Sequence, residues 1–442
     1  MLTSRILHFV LLLAYFAGGL SAAEPKLDMN DVSWLWPVPQ TASELATVIS
    51  MDSLRSEDGK PVWSDEQFAD LIRTVEGDAS KLGTSQIGLE DSFRDKATWK
   101  IVAMRVDPSA PGGHTAIVDA FSSSPQIRLI VQPVDVRGGR AIVHDVAVHM
   151  VYDFLRDGVD AKGRKLPDRA AFKKIVKDLE QLKSISEQGG AATTGKPLGV
   201  HPGLKANVDG LHSEIRKFLG RHLSSDKLTA MAIMGLDGKN PDPWMFLALA
   251  KFPPGANRFG PVPFLPLQMI DFRTLKVSPA PIVNNRAPIT NRLVIPAAER
   301  LGVSTAALFN RTIDKNALAS IGNDGTADVT DGEAKNRDIP DIVADPKASH
   351  FFNTDCVSCH TESTRRIRLG FSPGNFAFRV DGSVPPVDPE VLPKDDWNLR
   401  NFGWFPPHAF IGGGPTVATA TQRTANETAE VVAFIEREYG ER

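Results

Sequence analysis

The sequence predicts an α+β amino-terminal domain, a β-meander plus helices, followed by a smaller carboxy-terminal domain. Three observations predict this. Segments rich in β-branched residues recur between residues 99 and 154 with Gly or Pro turns between them. Stretches with helical hydrophobic periodicity flank these segments. A polar stretch, 322–338, then interrupts the pattern before a shorter carboxy-terminal region, 339–442. A chain of 442 residues has the length for two or three domains with ample cores.

The elements follow in order. Arg5 supplies a positive start, Phe9–Leu20 is apolar, and Ser21-Ala22-Ala23 offers small residues before Glu24. Residues 1–23 therefore read as a secretory signal, too short for a spanning helix. No cysteine lies at the expected cut, so no lipid anchor is expected. No later apolar run reaches bilayer length, so the mature chain is expected to lack a transmembrane segment and to be periplasmic or secreted from a bacterium.

Residues 24–321 form the predicted α+β domain. Trp34-Leu35-Trp36-Pro37-Val38-Pro39 is an aromatic, proline-broken opening. A helix is expected over Ala42–Met51. A second begins at a capping box, Ser64 and Gln67, with Phe68, Leu71, Ile72 and Val75 on one face. Trp99–Val106, Gln126–Val134 and Ala141–Phe154 read as the strands of the meander. Asp168–Ile185 is an amphipathic helix and Gly189–Gly203 a loop where the domain is divisible. Leu204–Leu223 is a further helix, and Trp244–Lys251 and Leu265–Phe272 are two more strands. In the polar stretch, Asp324, Asp328, Asp331 and Glu333 invite a calcium reading. Their spacing does not match an EF-hand loop, so the stretch reads as a solvated linker.

The chemistry lies in Cys356-Val357-Ser358-Cys359-His360, which holds both cysteines of the chain. This spacing is that of covalent haem c attachment, with each thiol adding to a vinyl group and the adjacent histidine meeting the iron as proximal ligand. The alternatives are a simple disulfide with an incidental histidine, or a redox dithiol. The dithiol requires a strand-to-helix junction that this context does not offer.

Around this motif, residues 339–442 resemble a class I monohaem cytochrome c domain. Ser349-His350-Phe351-Phe352 stands where that family carries its first helix. Thr421–Tyr439 stands where it carries its last, with Ala425, Ala429, Val432, Ala433 and Ile435 on one face and Phe434 and Tyr439 flanking it. The resemblance implies one haem, a small all-α fold and electron transfer. The family usually supplies a methionine as sixth ligand, but every methionine here lies at Met269 or earlier. His408, in Phe405-Pro406-Pro407-His408, is the one histidine after His360 and is the candidate second iron ligand. His350 lies on the proximal approach and reads as a packing residue.

Arg365 and Arg366, with Arg368, are candidate propionate contacts or steering charges for an acidic partner, against a solvated turn as the plain alternative. Trp404, with Trp397, Phe402 and Phe405, is a candidate for packing against the haem edge, against ordinary core packing. His144 and His149 fall on opposite faces of a strand and make a poor ligand pair, and His201, His212 and His222 lack metal-site spacing.

A net charge of −3 argues against a general binder of nucleic acid or anionic membrane. One haem motif rather than two argues against a dihaem peroxidase. No propeller repeat, P-loop, GxGxxG, GxSxG or HExxH is present. The expected function is single-electron transfer to or from a periplasmic or extracellular redox protein. The alternative is a haem-containing oxidoreductase, with either the amino-terminal domain oxidising a substrate or an open, peroxidase-like haem.

Overall fold

The structure, a computed structural model, describes residues 27–81, 91–109, 124–161, 165–236, 243–251, 256–261, 268–271, 277–279, 344–346, 362–363, 384–393, 400–406 and 417–440. In chain order its strands are β1 (Ser33–Leu35), β2 (Trp99–Asp107), β3 (Gln126–Arg137), β4 (Arg140–Val143), β5 (Val146–Asp153), β6 (Leu155–Val159), β7 (Lys165–Pro167), β8 (Leu228–Leu236), β9 (Pro243–Lys251), β10 (Phe259–Pro261), β11 (Gln268–Asp271), β12 (Val277–Pro279), β13 (Phe402–Trp404) and β14 (Thr419–Ala420). Its helices are α1 (Met29–Val32), α2 (Ala42–Leu45), α3 (Asp65–Lys81), α4 (Asp91–Arg94), α5 (Arg169–Gln188), α6 (Pro202–Lys205), α7 (Leu211–His222) and α8 (Gln422–Tyr439).

One antiparallel sheet dominates, in the order β1-β2-β3-β5-β8-β9-β11-β12, with β4 added to β3 and β10 to β9. Its register aligns Trp34, Met104, Leu129, Met150, Met231 and Leu249 across six strands. Side chains alternate along a strand, so this row marks one face. All six are buried. His201 stacks on Trp34 with ring centroids 3.6 Å apart, and the Tyr152 hydroxyl donates to the Val62 carbonyl on the same side. The opposite face carries Leu35 and Ser33 on β1, Ala103 and Arg105 on β2, Ile130 and Gln132 on β3, and His149 on β5.

That second face receives the carboxy-terminal residues. Gly403 of β13 lies against Ala103 and Leu35. On α8, Thr428 hydrogen-bonds Ser33 at 2.8 Å, and Glu427 accepts from Arg105 at 2.6 Å. Asn426 Nδ2 donates to the Ala344 carbonyl, and the 198–200 stretch pairs with 386–388 through Leu198 and Val387. Val391, Phe402, Trp404, Phe405, Val431, Phe434 and Ile435 belong to the same hydrophobic core as the sheet.

These contacts correct the expected fold class. The described carboxy-terminal residues contain one long helix and the two-stranded β13–β14 pair, not a small all-α domain. The reason is visible on α8. Of its expected apolar face Ala425 and Ile435 are buried and Ala429, Val432 and Ala433 half-buried, Val431 and Phe434 are buried instead, and Arg423, Asn426 and Thr428 are buried too, because they have partners there. The aromatic run Phe402-Gly403-Trp404 is a strand rather than part of a helical shell. The linker 322–338, where the sequence divides the chain, lies outside the described residues.

Other local expectations fare variously. The capping box is formed, with Gln67 N–H donating to Ser64 Oγ and Ser64 N–H to Gln67 Oε1. Asp168 caps α5 through Ala171 N–H. The helix expected over 42–51 is only the single turn α2, after which the chain turns to bury Ile49 and Met51. The one expected over 204–223 is interrupted by Asn207 and Gly210, both at positive φ, which separate α6 from α7. Ala141–Phe154 is two strands, broken at His144 and Asp145, that both pair antiparallel with β3. Among the described residues no helix is long and apolar enough to cross a membrane.

Candidate functional site

Cys356, Cys359, His360, Arg365, Arg366 and His408 lie outside the described residues, as do His350, Arg368 and Trp397. Trp404 is described, within a segment tied to the sheet region through Arg400, Gly403, Trp404 and Phe405. Arg400, 1% exposed, forms a two-point ion pair with Asp145, its Nε donating to Oδ1 at 3.1 Å and its Nη2 to Oδ2 at 2.5 Å. Burial pushes the Asp145 carboxyl up, against the pull of Arg400. Such a buried pair contributes little net stability, yet breaking it strands a charge.

Gly403 follows at φ +77°, and a Cβ there would lie 2.0 Å from the Ala103 Cβ. Only glycine permits this backbone approach. Trp404 is fully buried, and its indole N–H donates to His149 Nε2 at 3.0 Å. An acceptor Nε2 places the proton of the neutral ring on Nδ1. Phe405 is held at both backbone groups by one side chain. Its N–H donates to Gln132 Oε1 at 2.6 Å, and Gln132 Nε2 donates to its carbonyl at 3.2 Å and to that of His144 at 3.2 Å. The His144 ring meets Asp135 at 2.8 Å. The histidines at 144 and 149 thus engage a carboxylate and an indole rather than a shared ligand. Among the described residues no group of three or more His, Cys, Asp or Glu is placed to hold a metal ion.

A second polar group joins α8 to the sheet. Glu427 accepts from Arg105 and from Arg423, each at 2.6 Å, while Asp107 lies 3.4 Å from Arg128 and 3.9 Å from Arg105. Burial alone raises the Glu427 carboxyl, but Arg423, Arg105 and Arg128 together outweigh it and lower it from 4.5 to about 2. Asp107 goes the other way: burial raises it more than Arg128 and Arg105 lower it. His201 accepts the Gly203 N–H on Nδ1, and burial holds its pKa down at about 3.

Comparison with known protein families, with curated proteins and with solved structures finds no match to this chain. The sequence reading found Trp404 but not the side chains that fix it. Gln132, Asp145 and Arg400 carry no local signal, because their partners lie 255 or more residues away.

Proposed function

We propose that this protein is an exported monohaem c-type cytochrome that transfers single electrons to or from a periplasmic or extracellular redox protein. The observation that carries this is Cys356-Val357-Ser358-Cys359-His360. The donor set fits the group. Two thiols two residues apart suit the two vinyls, and an imidazole directly after them suits the iron. The secretory signal read at residues 1–23 supports it, since thioether attachment belongs to the exported compartment.

Cys356 and Cys359 would hold the porphyrin through thioethers, and His360, with His408 as the further candidate, would supply imidazole to the iron. Arg365 and Arg366, five and six residues after His360, would be the candidates to pair with propionates. When bound, haem supplies exchange of one electron between ferric and ferrous iron. Two imidazoles at the iron would favour a lower potential than a histidine–methionine pair.

The test is the protein purified from a host that matures c-type cytochromes. A Soret band, and a mass raised by one haem that survives acid–acetone extraction, support the reading. Colourless protein without that increment overturns it. Rapid cyanide or peroxide binding to high-spin iron overturns the carrier in favour of haem catalysis.

A further inference from the structure

We propose that Arg169, Lys173, Lys174 and Lys177, on the exposed face of α5, form a docking surface for an acidic patch on a partner protein. The inference does not rest on the haem reading, and colourless protein would leave it standing.

The sequence fixes which way this helix faces. Phe172, Ile175, Val176, Leu179 and Leu182 are buried, a stripe at helical spacing that turns the opposite positions to solvent. Lys173, Lys174 and Lys177 are exposed, and their ammonium groups have no ion pair or hydrogen bond among the described residues. Arg169 lies 3.8 Å from Glu438 with its side chain 61% exposed. Arg169, Lys173 and Lys177 follow one another at four-residue steps, so they share a row about 12 Å long with Lys174 beside it.

This row works against the helix that carries it. Like charges four residues apart repel. No acid stands in the first turn of α5 and no base in its last, so Arg169 meets the positive end of the helix dipole. Three other helices pair their cations locally: Arg73 with Asp70 on α3, Lys217 with Glu214 on α7 at 2.7 Å, and Arg423 with Glu427 on α8 at 2.6 Å. On α5 the acids are engaged elsewhere. Asp178 takes Arg221 at 2.5 Å and His222 at 2.8 Å from α7, and Glu187 lies 3.9 Å from the buried Lys183. Cations short of counter-charge are thus gathered on one face of a chain whose net charge is −3. Such a face draws in an opposing negative surface and speeds its encounter.

An acidic protein fits this face better than a lipid surface does. A helix that lies on a membrane sets apolar side chains beside its cations. The exposed large hydrophobics among the described residues are Val136 and Val159, and neither is on α5.

The test uses the full-length protein and a fluorescein-labelled polyglutamate peptide as probe. Binding is followed by fluorescence anisotropy at low salt and at about 0.15 M, where the screening length is about 8 Å. Lys173→Gln, Lys174→Gln and Lys177→Gln combined should weaken binding about tenfold at low salt, and by less at the higher salt. The same loss of charge at other exposed lysines, Lys196→Gln with Lys205→Gln and Lys217→Gln, should change it by less than about twofold. Because the row repels itself, the α5 variant should also unfold at no lower a temperature than wild type. Equal weakening by the two triple variants, or no binding by wild type, overturns the inference. So does an α5 variant that unfolds earlier, which makes the row structural. Vesicles of anionic phospholipid bound through these lysines, with the peptide ignored, assign the face to a membrane and overturn the protein partner.

Discussion

The ion network between α8 and β2 makes a prediction that can be worked through. Replace Glu427 by Gln. In the folded protein Glu427 has a pKa of about 2 against 4.5 ordinarily, because Arg423, Arg105 and Arg128 together exceed the effect of burial. A carboxyl with a depressed folded pKa stabilises the fold when ionised. Its contribution is fully present above pH 4.5 and is lost as pH falls through about 2. At 1.36 kcal/mol per tenfold change in proton affinity, that displacement is worth roughly 3 kcal/mol. Neighbouring Asp107 has the opposite sign. Its pKa is raised, so its contribution is present below 3.8 and lost as pH rises through the raised value. Glu427→Gln should therefore cost about 3 kcal/mol at pH 7 and progressively less as pH falls toward 2. Urea unfolding followed by circular dichroism at a series of pH values measures this. A difference between wild type and variant that is the same at pH 7 and pH 2.5 refutes the electrostatic argument. A variant that shifts only a minor transition while the sheet's own transition stays put refutes the shared core.

Three further outcomes follow from the same geometry. Gly403→Ala combines a positive φ with a Cβ 2.0 Å from that of Ala103, so a loss of about 2–5 kcal/mol is expected in thermal or urea unfolding. Arg400→Met alone leaves Asp145 buried and uncompensated and should cost roughly 3–5 kcal/mol, whereas Arg400→Met with Asp145→Leu should return to within about 1 kcal/mol of wild type. A double variant no better than the single contradicts this account of the pair. The pKa of His201 is lowered from 6.5 to about 3 by burial, so its stabilising effect is full above pH 6.5 and lost as pH falls toward 3. His201→Asn, which keeps an acceptor for Gly203 N–H, should flatten that part of the stability–pH curve. An unchanged slope between pH 6.5 and 3 shows that His201 is not the titrating group.

Local elements were legible because their causes are local. Ser64 with Gln67, Asp168 and Thr421 each announce a helix start, and each makes its capping hydrogen bond. The β-branched strands β2 and β3 announced themselves in the same way. Strand β8 did not. Leu228–Leu236 is rich in alanine and methionine, residues with little preference for strands, and it becomes a strand because β5 and β9 pair with it on either side. The charged residues Arg423 and Glu427 carry no signal of their pairing in the sequence, and only contact with Arg105 shows them as an ion network between α8 and the sheet.

The sequence by itself carries the motif on which the proposed haem attachment rests, since two thiols and an imidazole within five residues need no distant partner to be recognised. It also determined the caps and much of the strand pattern. Only the tertiary structure decided that the described carboxy-terminal residues share the sheet's core and that Gln132, Asp145 and His149 hold residues 400–406. The physical reason is that a hydrogen bond or ion pair between residues 255 or more apart leaves no periodicity in the chain. It exists only once the sheet has brought the two segments together.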